Sequence, residues 1–296
     1  MVNAKAWTRL EGGIQVRQSA AFQMNSVVLL HPEQIVIVDP GVLPSELDDL
    51  ARVVADAGDA PVTLLFTHAH WDHVLGRPWW PTAQTLAHDR FATEVRNDAA
   101  RILDEIRKLA AKHGESWERG FTPFRPDQAV SGLRFLKLGP WRLVIRDAPG
   151  HSLSQVSIHL PDHGTLIAAD MLSDIEPPLL DGFCGPYIET LSALRPLAEG
   201  GAITTLIPGH GAIARGRDDV LERLRGDLEY LERLEAGVRR AREEGLSVDA
   251  ARERLSSLPY PSRGANDQGL AEHLENVDFA YLGTARSSAK ASPSYR

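Results

Sequence analysis

The N-terminal part of the chain alternates short apolar runs with turn residues and one amphipathic segment. Residues 26–31 and 34–39 are apolar runs separated by a His-Pro-Glu break, which predicts two strands joined by a turn. Residues 44–57 carry one apolar stripe at helical spacing and end before Gly58, which predicts a helix. Residues 62–67, VTLLFT, are almost all apolar, which is typical of a strand buried on both faces. This strand–helix–strand order predicts an α/β layered fold.

A second group of strands and a long charged helix are predicted in the rest of the chain. Residues 89–113 have apolar positions at helical spacing, and residues 218–244 carry leucines at alternating steps of three and four. We interpret this leucine stripe as the face by which a helix lies on the domain, with a dimer contact as the alternative. Residues 191–198 predict a further helix, and short strands are predicted at 83–88, 133–138, 141–146, 155–160, 165–169 and 203–207.

Composition narrows the class of protein. The chain has 296 residues, of which 43% are hydrophobic and 24% charged, and its net charge is −8. These values allow a sizeable core and argue against a general nucleic-acid or anionic-membrane binder. The single cysteine excludes an intrachain disulfide and a cysteine-rich zinc module. No apolar run has the length of a signal peptide or a membrane span, so the sequence predicts a cytoplasmic protein.

Potential metal ligands are concentrated directly after the apolar run of residues 62–67. His68, His70, Asp72 and His73 fall within six residues, which lets one loop direct them at two neighbouring points. A histidine with only a structural role is rarely found beside so many other potential metal ligands. The segment therefore predicts a metal site.

Three more candidate ligands end predicted strands. His151 follows a Pro-Gly pair, Asp170 closes an apolar strand, and His210 lies between two glycines. All the candidates lie at the carboxyl ends of strands, where open α/β sheets place their ligand sites. Together the candidates are five histidines and two aspartates, enough for two divalent ions that share one carboxylate. Nitrogen and oxygen donors suit zinc, and also iron or manganese.

These motifs, in this order, resemble those of the metallo-β-lactamase-fold hydrolase superfamily, with a metal motif similar to that of glyoxalase II (hydroxyacylglutathione hydrolase). The resemblance covers most of residues 20–215. It implies a four-layer αββα sandwich with the site at one edge between two β-sheets, and a C-terminal helical extension. It also implies this assignment: His68, His70 and His151 on a first ion, Asp72, His73 and His210 on a second, Asp170 bridging both, and Asp39 supporting a ligand.

The resemblance implies a dinuclear metal-dependent hydrolase that acts on a small molecule. Two divalent ions, zinc first among the candidates, would share a hydroxide that attacks an ester, thioester, lactone or similar acyl bond. Asp72 and Asp170 are the candidate catalytic residues. A mononuclear iron sulfur dioxygenase acting on a persulfide, and a phosphodiester or β-lactam hydrolase, are the alternatives.

Departures from the motifs of known branches leave the substrate open. The only cysteine, Cys184, lies outside the ligand segments, which disfavours the lactamases that place cysteine on the second metal. A Gly-Ala pair follows His210 where hydroxyacylglutathione hydrolases have Glu-Tyr. A methionine follows Asp170 where quorum-signal lactonases commonly have tyrosine.

The domain organisation predicted from the sequence has three parts. We predict a catalytic domain over residues 1–215, a helical extension packed on it over 216–286, and a disordered tail over 287–296. The expected partner is a small-molecule substrate, with neither nucleic acid nor a membrane. A homodimer through the C-terminal helix is an additional prediction.

Two groups of residues near the metal motifs have competing interpretations. Trp79 and Trp80 form either a wall for an apolar substrate or a plug over the sheet edge. Asp174, Glu176 and Tyr187 follow Asp170 in a segment rich in proline and glycine, and we interpret them as solvated loop residues, with a lid as the alternative.

Overall fold

The computed structural model describes residues 7–260 and 267–283, and its strands form two sheets. The first sheet has seven strands: β1 (Trp7–Arg9), β2 (Ile14–Gln18), β3 (Asn25–Leu29), β4 (Ile35–Val38), β5 (Val62–Leu65), β6 (Gln84–His88) and β7 (Gln128–Val130). Their order in space follows the chain. Strands β1 to β4 pair antiparallel, and β4 to β7 pair parallel.

The second sheet has six strands: β8 (Leu133–Leu138), β9 (Trp141–Asp147), β10 (Val156–Leu160), β11 (Thr165–Ile167), β12 (Thr205–Ile207) and β13 (Ala214–Arg215). Neighbours in sequence are neighbours in space. All pairs are antiparallel except β11 with β12, which a helical crossover makes parallel.

Helices cover the outer faces of the two sheets. Within the described ranges they are α1 (Pro44–Asp56), α2 (Phe91–Lys112), α3 (Cys184–Glu199), α4 (Arg217–Glu243), α5 (Val248–Leu255) and α6 (Asp267–Leu282). Helices α1 and α2 share a core with the first sheet, and α3, α4 and α6 share one with the second. None of the helices in these ranges is long and apolar enough to cross a lipid bilayer.

Strand β4 shows how the sequence builds these layers. Its residues are all apolar and buried, and successive side chains point to opposite faces of the sheet. Ile35 and Ile37 pack on the helices, whereas Val36 and Val38 pack into the core between the sheets. The layers therefore follow in the order helices, sheet, sheet, helices, and the predicted four-layer αββα sandwich with C-terminal helices is confirmed.

Some elements differ from the sequence-based expectation. Strands β1, β2, β7 and β13 and helix α5 were not predicted. Helix α3 begins at Cys184 rather than Leu191, because Pro186 lies in its first turn, where its missing N–H is no loss. The leucine stripe of α4 is buried within the chain against the same core as α3. Residues 287–296, expected to be disordered, lie outside the described residues.

Candidate metal centre

The candidate ligands lie on loops at one edge of the sandwich. The run that begins with His68 follows β5 of the first sheet. In the second sheet His151 follows β9, Asp170 follows β11 and His210 follows β12. The two sheets thus each contribute loops to one place.

Backbone hydrogen bonds tie the two sheets together at this edge. Val156, the first residue of β10, donates its N–H to the carbonyl of Thr67 at 2.9 Å. Asn25 in β3 donates its N–H to the carbonyl of Gly209 at 2.7 Å, and its side chain donates to two more carbonyls of the same loop. The loops before His68 and around His210 are therefore held by the protein itself.

The structure brings all seven predicted ligands together in two adjoining groups. Asp170 lies between the groups, with Oδ2 3.2 Å from His151 Nε2 and Oδ1 3.2 Å from His73 Nε2. Within each group the potential donor atoms lie within 4.8 Å of one another. The first group is His68, His70, His151 and Asp170, and the second is Asp72, His73 and His210.

Four of the five histidines use Nδ1 for a hydrogen bond and turn Nε2 towards the centre. An oxygen acceptor at Nδ1 keeps the proton there and leaves a lone pair on Nε2, which is the form that binds a metal. His70 instead directs Nδ1 to the centre, 2.9 Å from His151 Nε2. The Nδ1 hydrogen bonds of the other four histidines are His68 with Thr67 Oγ1 (3.0 Å), His73 with Asp39 Oδ2 (2.9 Å), His151 with Leu179 O (3.2 Å) and His210 with Phe22 O (3.0 Å).

Asp39, the predicted supporting residue, connects the two groups. Its Oδ2 accepts from the Thr67 hydroxyl at 2.5 Å and from His73 Nδ1 at 2.9 Å, and its Oδ1 accepts from Thr67 N–H at 2.8 Å. Because the Thr67 hydroxyl donates to Asp39, its oxygen accepts from His68 Nδ1. One buried carboxylate thus sets the proton positions of a histidine in each group.

Buried carboxylates give the centre a negative field. Burial alone would lower the pKa of His73, but the carboxylates around it, Asp170 foremost, raise that pKa well above its usual value. Burial opposes ionisation of Asp72, yet His73 and His210 hold its pKa at about 2. Burial and the neighbouring His73 lower the pKa of His68 well below its usual value, which keeps it neutral. Such a field favours bound cations.

The donor atoms fit divalent metal ions. His68 Nε2 is buried and has no hydrogen-bond partner among the described residues. The Nε2 atoms of His73 and His210 face each other at 3.3 Å, and the nearby carboxylates raise the pKa of both rings well above its usual value. Metal binding releases such protons, so an ion can take the place of the positive charge that the carboxylates stabilise here. Imidazole nitrogens and carboxylate oxygens of this number are what zinc and similar ions take as ligands.

Two glycines allow the ligand loops to approach one another. A Cβ at Gly209 would lie 1.9 Å from Asp170 Oδ1. A Cβ at Gly150, whose φ is +139°, would lie 2.4 Å from the Cβ of Tyr187. Any larger residue at Gly209 would therefore displace the ligand Asp170, and any larger residue at Gly150 would displace Tyr187, which holds Asp170.

Backbone strain is concentrated beside this site. The non-glycine residues with positive φ in the described part of the chain have φ between +47° and +61°, and all of them adjoin the ligand loops. Such conformations cost roughly 1–3 kcal/mol each and persist where the surrounding structure demands them, which is common at functional sites. They are Phe22, Gln23, Asp39, Ala169 and Leu172.

Tyr187 was misinterpreted from the sequence. It is neither a solvated loop residue nor part of a lid: it is fully buried in α3, and its hydroxyl donates to the backbone carbonyl of Asp170 at 3.0 Å. Asp174, in the same segment, accepts from Ala212 N–H at 2.7 Å. The signal that could have identified Tyr187 is the helical spacing from Tyr187 through Leu191 to Leu194, which places all three on one face.

Trp79 and Cys184 lie apart from the candidate ligands. The Trp79 indole N–H donates to Asp48 of α1 at 2.7 Å, and Trp79 and Trp80 pack on the core beneath the outer helices, which favours a plug over a substrate wall. Cys184 is buried at the start of α3, and burial raises the pKa of its thiol to about 12.

Comparison with known families decides the classification. The family model described as the metallo-beta-lactamase superfamily matches residues 20–238, which include all the candidate ligands and Asp39. The chain belongs to this superfamily. Helices α5 and α6 lie beyond the matched residues.

Similar proteins within the superfamily are hydrolases by name. A probable metallo-hydrolase, YqgX, from Bacillus subtilis is 28% identical over 155 residues, covering 51% of this chain and 66% of that protein. The acyl-coenzyme A thioesterase MBLAC2 from Gallus gallus is 23% identical over 189 residues, covering 59% and 67%. A hydroxyacylglutathione hydrolase from Mesorhizobium japonicum is 27% identical over 205 residues, covering 67% and 66%. The chain thus spans about two thirds of the length of each.

A solved structure shares the fold at much lower identity. The sec-alkylsulfatase Pisa1 from Pseudomonas sp. superposes with a TM-score of 0.74 at 15% identity, covering 96% of this chain and 51% of that one. At this identity the likeness shows the fold alone.

Proposed function

We propose that this superfamily hydrolase is a dinuclear metal-dependent enzyme that cleaves an ester, thioester, lactone or similar acyl bond of a small molecule. The observation that carries the proposal is the pair of adjoining ligand groups with Asp170 between them. Two divalent ions bound there would supply Lewis-acid activation of a water molecule and polarisation of the substrate carbonyl.

The residues around the centre have separate tasks in this proposal. Asp72 orients the attacking water, because its pKa of about 2 keeps it an ionised hydrogen-bond acceptor at neutral pH. Tyr187 holds Asp170 through its backbone carbonyl, and Asp39 holds His73. The proposed ligands are His68, His70 and His151 for one ion, Asp72, His73 and His210 for the other, and Asp170 for both.

Among acyl substrates, the similar proteins favour an acyl group carried on sulfur. Two of them are named as an acyl-coenzyme A thioesterase and a hydroxyacylglutathione hydrolase. Thiols have a pKa of about 8.5, so a thiolate leaves without needing a strong proton donor. A thioester therefore suits a site whose buried groups bind ions and orient water, because its cleavage needs no strong proton donor.

The test combines metal analysis with a substrate panel. Protein purified without chelator is analysed for metal and assayed with an acyl-coenzyme A, an acylglutathione, a lactone, an aryl ester, a phosphodiester and a β-lactam. We expect close to two metal equivalents per chain and the fastest turnover on a thioester. Asp170→Asn should lose metal and at least about 100-fold in kcat/KM. His113→Gln, at the exposed end of α2, is the matched control and should change neither.

Other outcomes would replace or overturn the proposal. One iron per chain and oxygen uptake with a persulfide would establish the sulfur dioxygenase alternative. Turnover of the phosphodiester or β-lactam alone would replace the acyl substrate. Failure to bind zinc, iron or manganese would overturn metal-dependent hydrolysis altogether.

Four finer points remain predictions. They are zinc as the metal, the count of two ions, a cytoplasmic location, and a homodimer through the C-terminal helix. The dimer would have to use another face of α4, because Leu224, Leu231 and Leu234 of its stripe are buried within this chain. The domain boundaries at residues 215 and 286 likewise remain predictions.

A further inference from the structure

Helix α6 binds a loop beside the metal centre through one side chain. Asn276 is fully buried (0% exposed) and faces the segment Pro178–Leu180. Its Oδ1 accepts from Leu180 N–H at 2.9 Å, and its Nδ2 donates to the carbonyl of Pro178 at 2.7 Å. One amide thus binds the backbone on both sides of Leu179.

The carbonyl of Leu179 is the acceptor for His151. His151 Nδ1 donates to it at 3.2 Å, which keeps the proton on Nδ1 and leaves Nε2 free for an ion. The same two loops are joined again where Asp181 N–H donates to the carbonyl of Gly150 at 2.7 Å. The position of the Leu179 carbonyl therefore sets the ring orientation and tautomer of His151.

The orientation of the Asn276 amide is itself determined by a chain of buried hydrogen bonds. His273 Nε2 lies 2.8 Å from the carbonyl of Leu255, which can only accept, so His273 carries its proton there. Its Nδ1 then accepts from the Tyr230 hydroxyl at 3.0 Å. The Tyr230 oxygen in turn accepts from Asn276 Nδ2 at 2.9 Å. Burial lowers the pKa of His273, which is consistent with a neutral ring.

We propose that Asn276 is a positioning residue for His151, acting through the Leu179 carbonyl. The metal-binding role of His151 rests on the proposed function, whereas the hydrogen-bond path from Asn276 does not. Asn276 lies outside residues 20–238, which match the superfamily, so this support belongs to the C-terminal helices of this chain. Helix α6 then helps to organise a ligand as well as packing on the sandwich.

The test compares variants of Asn276 with a matched packing variant. Asn276→Leu keeps the branched outline of the side chain and removes both bonds to the loop as well as the bond to Tyr230. Asn276→Asp is a milder variant that keeps the acceptor for Leu180 N–H but places a carboxylate against the Pro178 carbonyl. Val277→Ala removes buried packing from the neighbouring position of α6 and leaves the bonds intact.

Two readouts are independent of catalysis. In metal-free protein labelled with 15N-histidine, with His151 assigned by His151→Gln, we expect a protonated Nδ1 in the wild type and a mixture of tautomers in Asn276→Leu. Competition with a chelator measures the affinity for each zinc ion. We expect the ion that is lost in His151→Gln to bind about tenfold more weakly in Asn276→Leu. The other ion should be retained with unchanged affinity, and Asn276→Asp should show a smaller change in the same direction.

The proposal is overturned if the variants of Asn276 leave the His151 tautomer and both zinc affinities unchanged. It is also overturned if both ions weaken equally in Asn276→Leu and Val277→Ala, because that would show general loosening of the helices. A changed His151 tautomer in a protein that hydrolyses no member of the panel would support this proposal while contradicting the hydrolase function.

Discussion

Asp39 offers a direct test of how the metal centre is organised. Its carboxylate is buried (3% exposed) and accepts three hydrogen bonds, two from Thr67 and one from His73. Through the Thr67 hydroxyl it also controls His68, whose Nδ1 lies 3.0 Å from Thr67 Oγ1. A change at Asp39 should therefore reach both ions.

The variant Asp39→Asn keeps the shape of the side chain and removes one acceptor. The backbone N–H of Thr67 can only donate, so the amide oxygen should remain opposite it and the amide nitrogen should replace Oδ2. His73 must then accept at Nδ1 and carry its proton on Nε2. The Thr67 hydroxyl, which can no longer donate to residue 39, donates to His68 Nδ1 and moves that proton to Nε2 as well. Both lone pairs that face the ions would be lost.

The expected effect is large enough to measure on each ion separately. Loss of a ligand's supporting hydrogen bond weakens metal affinity by about 10- to 100-fold, which corresponds to about 1.4–2.7 kcal/mol. We expect a loss in this range for both zinc ions in Asp39→Asn, measured by competition with a chromophoric chelator. The fold should be retained, since Asn tolerates the left-handed backbone of Asp39 (φ +47°).

Asp127→Asn is the matched control. Asp127 Oδ2 accepts from Thr85 N–H and from the Thr85 hydroxyl, each at 2.8 Å, in the same kind of motif but away from the ligands. Asp127 is exposed, and its replacement should leave zinc affinity unchanged. Wild-type affinity for both ions in a folded Asp39→Asn variant would refute the tautomer argument.

Three further changes test other parts of the structure. Gly150→Ala should weaken zinc binding and lower the melting temperature, because its Cβ would lie 2.4 Å from Tyr187 Cβ, and an unaltered melting curve would contradict this. Burial raises the pKa of Asp227, so its stabilising contribution is complete below the unfolded value of about 4 and is lost as pH rises through the folded value. As the pH rises from 4 to 8, the free energy of unfolding measured in urea should fall less in Asp227→Asn than in the wild type, because asparagine keeps the acceptor for Leu172 N–H and does not ionise. An equal fall in both proteins would assign the loss to another group. Removal of metal with a chelator should lower the melting temperature. Re-addition of metal should raise it in proportion to the logarithm of the metal concentration, and a melting temperature that the chelator leaves unchanged would show that no metal is bound.

The candidate ligands could be predicted because their side chains carry the signal. Histidines and aspartates directly after apolar strands stand out from an ordinary loop, and their order matches known motifs. The groups that fix the ligands carry no such signal. Phe22 and Leu179 act through backbone carbonyls, which every residue has, and Asn276 lies far along the chain from His151. Only the folded structure shows that these atoms meet.

The strands that escaped prediction are short or mix polar residues with apolar ones. Trp7–Arg9 and Ala214–Arg215 are short and lie at sheet edges, where burial imposes little pattern. Ile14–Gln18 mixes polar side chains with apolar ones, and Arg17 is buried there only because it pairs with Glu46 at 3.1 Å and Asp49 at 3.5 Å. An ion pair between distant segments cannot be inferred from local sequence.

The bonds that organise the centre are hydrogen bonds between protein groups. Asn25 and Val156 join the two sheets, Asp39 and the Leu179 carbonyl orient ligands, and Asn276 holds the loop that supplies that carbonyl. Loops held by such bonds should lose less conformational entropy when an ion binds than the loops of a small zinc module that folds only with its metal. The strained residues beside the ligands fit the same argument, because a rigid sandwich can maintain conformations that a flexible loop would relax.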